Sequence, residues 1–248
     1  MTPAGLELFR GLHVKGDPLV LYNLWDAGSA KAVAGAGARA LATGSWSVAA
    51  AQGYDDGESL PLDLLLTLVG RIAATVPLPL SVDFEGAYAV EPEAVAANVG
   101  RVLAAGAVGI NFEDGVPGGD EIHPLSLQVQ RVAAARSAGD FFLNARTDIF
   151  LKAPPQTHAG LVGEALDRGH AYAEAGADGF FVPGLADRDL LARVCAACPL
   201  PVNVMMTEAL GPVATLAATG VARISFGPTP YRLTMADLAA RARAPCGK

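Results

Sequence analysis

Two acidic side chains close an apolar run at Leu80-Ser81-Val82-Asp83-Phe84-Glu85-Gly86. On a strand successive side chains point to opposite faces, so this spacing places Asp83 and Glu85 together and Phe84 opposite. The pattern returns at Val108-Gly109-Ile110-Asn111-Phe112-Glu113-Asp114-Gly115, another apolar run ending in acids and a glycine. Between the two lies Pro92 to Gly106, a helical stretch with apolar Val95, Val99, Val102 and Leu103. The whole reads as a β-α-β unit with carboxylates at the end of both strands. Neighbouring strands lie roughly 4.8 Å apart, so three or four carboxylates converge on one point, and such a cluster suits a hard cation such as Mg²⁺. The alternative is that these are solvated acids in two turns.

The rest of the chain must supply the frame. Apolar strands are expected at Pro18–Trp25, Ala38–Thr43, Leu78–Phe84, Val108–Glu113, Phe141–Arg146, Gly179–Val182, Pro201–Met206 and Arg223–Phe226. Helical stretches alternate with them: Thr2–Leu12 enters the first, Thr234–Arg243 follows the last, and Gly44-Ser45-Trp46-Ser47 reads as a turn. Parallel strands need such crossovers, and eight units is the count that closes a barrel. With 248 residues and no linker, the expectation is α/β: a single (β/α)8 TIM-type barrel domain over 1–248. A doubly wound sheet is the rival, but no G-x-G-x-x-G follows the first strand.

Composition narrows the partners. Net charge is −7, from 18 basic and 25 acidic residues. No basic run exists, so nucleic acid is not expected. Mean hydropathy is +0.34, but no uncharged apolar run approaches the ~20 residues of a spanning helix. Strands buried on both faces account for the value. The N-terminal stretch lacks the basic-then-apolar order of a signal peptide. Three cysteines, Cys195, Cys198 and Cys246, make no disulfide framework. The Cys195–Cys198 spacing has no second pair beside it, so zinc is not expected and a reducing cytoplasm is the default.

In a barrel of this kind the chemistry gathers where strands end. Those positions are Asp26, Gly44, Ser45, Trp46, Asp83, Glu85, Glu113, Asp114, Arg146, Asp148, Asn203 and Met205. Acids follow strands three and four, and an arginine follows strand five. That layout suits a cation and an anionic ligand side by side, because a guanidinium grips a carboxylate in two places. Arg146 is equally an ion-pair partner for Asp148 or Glu113. Gly44 lets a ligand approach the backbone or is a plain turn glycine. Trp46 reads as a pocket wall or as core, Asn203 as a ligand contact or a buried polar pair, and Met205-Met206 as core. His13, His158 and His170 read as surface residues. The glycines of the loop Gly115–His123 make it a candidate lid.

Val82-Asp83-Phe84-Glu85-Gly86, Phe112-Glu113-Asp114, Asn144-Ala145-Arg146-Thr147-Asp148 and Ala171–Asp178 together resemble the isocitrate lyase/phosphoenolpyruvate mutase superfamily. The likeness runs from about Tyr22 to Gly227. It implies bound Mg²⁺ and the making or breaking of C–C or P–C bonds next to a 2-oxo acid or its enolate. It implies Asp83 as the main metal contact, with Glu85, Glu113 and Asp56 acting through water. It also implies that Arg146 holds the substrate carboxylate and that Gly44-Ser45-Trp46 supplies backbone N–H groups. Relatives exchange the last helix between subunits, which implies a homo-oligomer, dimer or tetramer. The family's D-x-D-x-G-Y-G appears here as Asp83-Phe-Glu85-Gly-Ala-Tyr88, and the lyases' K-K-C-G-H is absent from the loop after strand four. His123 is the one residue of that loop that titrates near neutrality and is the candidate replacement acid. The implied activity is a Mg²⁺-dependent lyase, decarboxylase or hydrolase of a small 2-oxo or 2-hydroxy (di)carboxylic acid. The alternatives are a phosphoenolpyruvate or phosphonate enzyme, or a 2-oxo-acid binding protein with little turnover.

Overall fold

The computed structural model describes residues 3–243 and residue 245; Thr2 and Cys246 lie outside the described residues. Eight parallel strands form one sheet: β1 (Leu19–Leu21), β2 (Leu41–Ala42), β3 (Leu80–Asp83), β4 (Gly109–Glu113), β5 (Phe142–Arg146), β6 (Gly179–Phe181), β7 (Val202–Met205) and β8 (Arg223–Ser225). Their order is β1-β8-β7-β6-β5-β4-β3-β2. A parallel bridge from Leu24 to Thr43 brings the two ends of this sheet together, with Leu24 N–H donating to Ala42 and Gly44 N–H to Leu24. The result is a nearly closed (β/α)8 barrel. The strands are shorter than the apolar runs that encode them, because tilted, twisted strands leave the ladder at both ends.

The helices are α1 (Pro3–Gly11), α2 (Ala27–Gly35), α3 (Ser45–Ala51), α4 (Leu62–Thr75), α5 (Pro92–Ala104), α6 (Leu125–Ser137), α7 (His158–Glu174), α8 (Arg188–Ala197), α9 (Val213–Leu216) and α10 (Thr229–Arg243). Helix α3 corrects the reading of Gly44–Ser47 as a turn. The stretch from Ser45 to Ala51 is alanine-rich and takes up helix with Gly44 as N-cap. Asp26 is the N-cap of α2, in a capping box with Ser29, which accounts for it without chemistry. Helix α10 begins at Thr229 rather than Thr234, with Pro230 inside its first turn, a position where a missing N–H costs nothing. Among the described residues no helix is long and apolar enough to cross a membrane.

Two histidines expected at the surface are not there. His158 is buried. His13 stacks on Phe142 with ring centroids 4.0 Å apart, and burial, then the nearby Arg223 charge, pushes its imidazole down to about 3.

The main apolar core lies between the barrel and its helices. A second, smaller cluster forms where α1 crosses the barrel floor: Leu6, Phe9 and Leu12 meet Leu19, Leu21, Val108 and Phe142. Gly109 has no room for a side chain there, since a Cβ would sit 2.9 Å from the Phe142 carbonyl and 3.1 Å from the Phe9 ring. At the other extreme, α10 is exposed along most of its length, Leu233 and Leu238 included. Val20 and Tyr22 on the outer side of β1 are exposed too, and they line a groove of about 350 Å³. If α1 is the floor of the barrel, Phe9→Ala lowers unfolding stability by about 3–5 kcal/mol. Urea titration measures this, and a loss under 1 kcal/mol would show that α1 is only draped on the surface.

Candidate functional site

Strand register sets the site. Asp83 ends β3 beside Asn111 of β4, and Glu113 ends β4 beside Arg146 of β5. Asp83 is fixed from three sides. One oxygen, Oδ2, accepts from the Ser45 backbone N–H at 3.0 Å and the Ser45 hydroxyl at 2.9 Å. The other, Oδ1, accepts from Asn111 Nδ2 at 3.1 Å. Its own N–H donates to Thr43 Oγ1. The start of α3 thus holds the end of β3.

Arg146 lies at the centre of an ion-pair network. Its Nε and Nη2 donate to both oxygens of Asp148, at 2.6 and 3.0 Å. Nη1 is 2.7 Å from Glu113 Oε2 and 3.9 Å from Asp83 Oδ1. Burial alone would depress the guanidinium, but the Glu113, Asp148 and Asp83 charges hold it well above its ordinary value. Three of its five donors therefore have carboxylate partners, and two remain for a ligand. Both sequence readings of Arg146 meet in this geometry. Gly115 is required beside it, because a Cβ there would sit 2.8 Å from Asp148 Oδ2.

Glu85 is not on the face of Asp83. The strand ends at Asp83, and Glu85 has φ of 51°, so the strand alternation does not reach it. Its Oε1 accepts from the N–H groups of Gly57 and Glu58, both at 3.0 Å. Glu58 returns the contact by accepting the Tyr88 N–H at 2.7 Å. The two loops are clasped reciprocally, and this holds Asp56 at the pocket mouth. Asp114 also departs from the cluster. It points away from Glu113, as neighbours on a strand must, and takes hydrogen bonds from Arg168, Tyr172 and the Asp148 N–H.

A pocket of about 190 Å³ opens above these strand ends. Gly44, Ser45, Trp46, Asp56, Asp83 and Arg146 line it, in agreement with their expected positions. Gly44 is in ordinary extended conformation, with φ of −123°, so its backbone does not demand a glycine, whereas a ligand passing close would. Its N–H and that of Ser45 already have acceptors in Leu24 and Asp83. Asn203 does not reach the pocket. It is buried below, its Oδ1 accepting from Ser225 Oγ at 3.3 Å, and its Nδ2 has no partner. His123 also lies elsewhere, buried in a separate pocket with Tyr88 and Arg131. Burial, then the Arg131 and Lys152 charges, pushes its imidazole down. This placement gives His123 no contact with the Asp83 pocket, so its proposed part as proton donor is not supported by the geometry. Sequence reasoning missed Asn23, Asn111, Leu151, Phe181 and Ser225, which line the pocket, and took Met205, which also does, for core. Asn111 was detectable, since it lies two residues before Glu113 on the same strand face.

The expected lid is a small hairpin. Gly115 and Ile122 form an antiparallel bridge, and Lys152 Nζ donates to the carbonyls of Val116, Gly119 and Glu121. Glycines give the loop freedom in principle, and the lysine hydrogen-bonds it in this position.

Among the described residues, no three acidic, histidine or cysteine side chains are already gathered as a metal cage. The donor set nevertheless suits a hard cation. Asp56, Glu85 and Glu113 are each pushed above their ordinary values, first by burial; neighbouring carboxylates add to this, while the Arg146 charge works against it at Glu113. Asp83 repels all three, and Asp148 and Asp56 add to it. Mg²⁺ keeps several waters and needs only one or two direct carboxylates. Asp83 and Asp56, which both line the pocket, could hold such an ion, directly or through its waters.

The Glu85 carboxyl is pushed up to about 8, by burial first and the Asp56 charge second. An acid that holds its proton longer when folded contributes fully below its ordinary pKa of 4.5 and loses that contribution as pH rises through the folded value. In chelator, the melting temperature therefore falls from about pH 5 to pH 8, and Glu85→Gln, whose amide oxygen still accepts both N–H groups, makes the fall shallower. Differential scanning calorimetry checks this; identical slopes in both proteins would mean that Glu85 is charged throughout.

Comparison with known proteins places this geometry. The sequence model of the family described as phosphoenolpyruvate phosphomutase matches residues 9–245. A crystal structure of a Burkholderia cenocepacia J2315 protein, provisionally described as a phosphonomutase, is 48% identical, with a TM-score of 0.93 over 96% of this chain and 99% of that one. The 2-methylisocitrate lyase of Salmonella typhimurium is 30% identical over 82% of this chain and 70% of its own length. A phosphonopyruvate hydrolase whose structure holds oxalate and Mg²⁺ is 24% identical, with a TM-score of 0.83 over 99% of this chain and 88% of that one, a likeness of fold.

Proposed function

The chain belongs to the phosphoenolpyruvate phosphomutase family and is an enzyme of the isocitrate lyase/phosphoenolpyruvate mutase type; from that premise we propose that it uses Mg²⁺ to cleave a bond in a small 2-oxo or 2-hydroxy carboxylic acid. The observation that carries this is Asp83, held from three sides at the mouth of β3 beside Arg146. When bound, Mg²⁺ would supply positive charge against the 2-oxo oxygen as electrons move towards it. The remaining work falls to side chains. The two uncommitted N–H donors of Arg146 hold the carboxylate and so orient the scissile bond. Ser45 and Asn111 keep the Asp83 oxygens fixed, which lowers the cost of organising the site at the moment of reaction. Asp56 lines the mouth of the pocket, where burial and then the Asp83 charge push its carboxyl up from its ordinary value, and it is the acid placed to exchange a proton with the ligand.

A second reading has one observation behind it. The loop after β4 holds no cysteine or lysine, and its histidine lies outside the pocket. Binding of a 2-oxo acid with little turnover follows if Asp56 cannot replace the missing acid. Release of pyruvate, glyoxylate or CO₂ from a panel of 2-oxo and 2-hydroxy acids separates the two readings.

Asp83→Asn keeps the shape of the carboxylate and removes its charge. It abolishes Mg²⁺ binding by titration calorimetry while circular dichroism stays unchanged; wild-type affinity in the variant would refute the assignment of Asp83. Assembly follows from the exposed α10 and the open groove beside Val20 and Tyr22. Exchange of α10 between two copies would cover both apolar faces, so light scattering at micromolar concentration gives a dimer or larger. A monomer would show that these faces stay open in solution.

A further inference from the structure

We infer that the substrate carries its negative charge at the 2-oxo end only and an uncharged, apolar group at the other, an inference that rests on the reading of the pocket given above. Strand order divides the pocket by chemistry. Ser45, Asp56, Asp83, Asn111 and Arg146 line the side of β2 to β5. Phe181, Pro183, Met205 and Pro228 line the side of β6 to β8, where Ser225, and Asn23 beside it after β1, are polar but uncharged. Arg146 is the one lysine or arginine that lines it among the described residues, and Glu113, Asp148 and Asp83 already surround it.

The neighbouring cations do not line it. Lys152 is tied to three carbonyls of the hairpin. Arg131 donates to the carbonyls of Gly86 and Ala89, and Arg168 pairs with Asp114. Arg223 lies below the pocket, its Nη2 bonded to Ser81 and Asn111 and its Nε and Nη1 without partners. Arg232 stands over the Trp46 ring, 4.4 Å from its centroid, as the nearest rival. A second carboxylate or a phosphonate on the ligand would meet an apolar lining in which no cation takes part, Arg232 standing outside it over the Trp46 ring, and an unpaired charge out of water is strongly disfavoured. An alkyl or aryl group in the same place would leave water for apolar contact.

The same layout restricts the bond that breaks. A fragment leaving along the apolar wall leaves neutral. A 4-hydroxy-2-oxo acid with an apolar group on C4 meets that condition. Its C4 hydroxyl passes a proton to the Asp56 carboxylate at the pocket mouth and the C3–C4 bond breaks. The electron pair passes to C3 and is shared with the 2-oxo oxygen as the enolate, and C4 departs as an uncharged aldehyde. The enolate takes up one proton at C3 to give pyruvate. The proton lost and the proton gained balance, and no oxidant or water is consumed.

Titration calorimetry of the full chain with Mg²⁺ tests the charge layout, using oxalate, 2-oxopentanoate and 2-oxoglutarate. The last two have the same carbon count and differ in the terminal carboxylate. Oxalate binds, and 2-oxopentanoate binds at least ten-fold tighter than 2-oxoglutarate. Leu151→Arg, at a rim position that is 46% exposed, narrows or reverses that preference. In a coupled assay 4-hydroxy-2-oxohexanoate releases pyruvate faster than oxaloacetate or phosphonopyruvate does. If oxalate binds and 2-oxoglutarate matches or exceeds 2-oxopentanoate, this inference is wrong and the pocket reading stands; loss of the 2-oxoglutarate preference in Arg232→Ala would then locate the second anion site. If oxalate binds and neither longer acid does, the inference is again wrong, since the apolar wall takes no tail. If oxalate also fails to bind with Mg²⁺, the reading of the pocket falls with it.

Discussion

A single guanidinium holds the catalytic end of this barrel together. Arg146 is surrounded by Asp148, Glu113 and Asp83, and the parallel register that sets Glu113 beside Arg146 brings them there. Without it three carboxylates would share a poorly solvated space, which the protein resolves only by protonating them or bringing in another cation. Arg146 meets that demand in part. Glu113 is still pushed upwards by its burial despite the Arg146 charge, so one arginine does not fully offset the acids gathered here. That imbalance is set by the order of residues on three adjacent strands.

The barrel was legible because its strands are buried on both faces and read as eight apolar runs at a regular spacing. The pocket positions of Asp83, Arg146, Ser45, Trp46 and Gly44 were legible for the same reason, since a strand end in such a fold points its residue at the mouth; Asp56, in a loop, came only with the family resemblance. What was lost follows one pattern. Alternation holds only while the chain remains a strand. Glu85 lies one turn beyond that limit, in left-handed backbone, and the rule gave it to the wrong neighbours. Helix α3 was hidden because Gly-Ser-Trp-Ser looks like a turn, although the alanines after it form helix well.

Other misreadings arose from distance along the chain. Nothing in the loop Gly115–His123 announces that Lys152 will stake it. His123 has the ordinary chemistry of an acid near neutrality, but the hairpin turns it into a different pocket. Asn203 has the residue type of a ligand contact, yet it sits one layer too deep, under Ser225. Phe181, Leu151 and Met205 were invisible as site residues because apolar side chains carry no chemical signature. They define the shape and polarity of the far wall all the same.

The floor of the barrel bears on how the chain comes off the ribosome. Phe9 finds its partner in Phe142, which is added 133 residues later. At synthesis rates of 5–20 residues per second the interval is roughly 7–27 s. Through that time the face of α1 has only Leu19, Leu21, Ala40 and Ala42, and then Val108, of its cluster to meet, a condition that invites chaperones or premature association. The barrel also cannot close before β8 is made, so whatever slows the docking of α1 prolongs the exposure of an unfinished barrel.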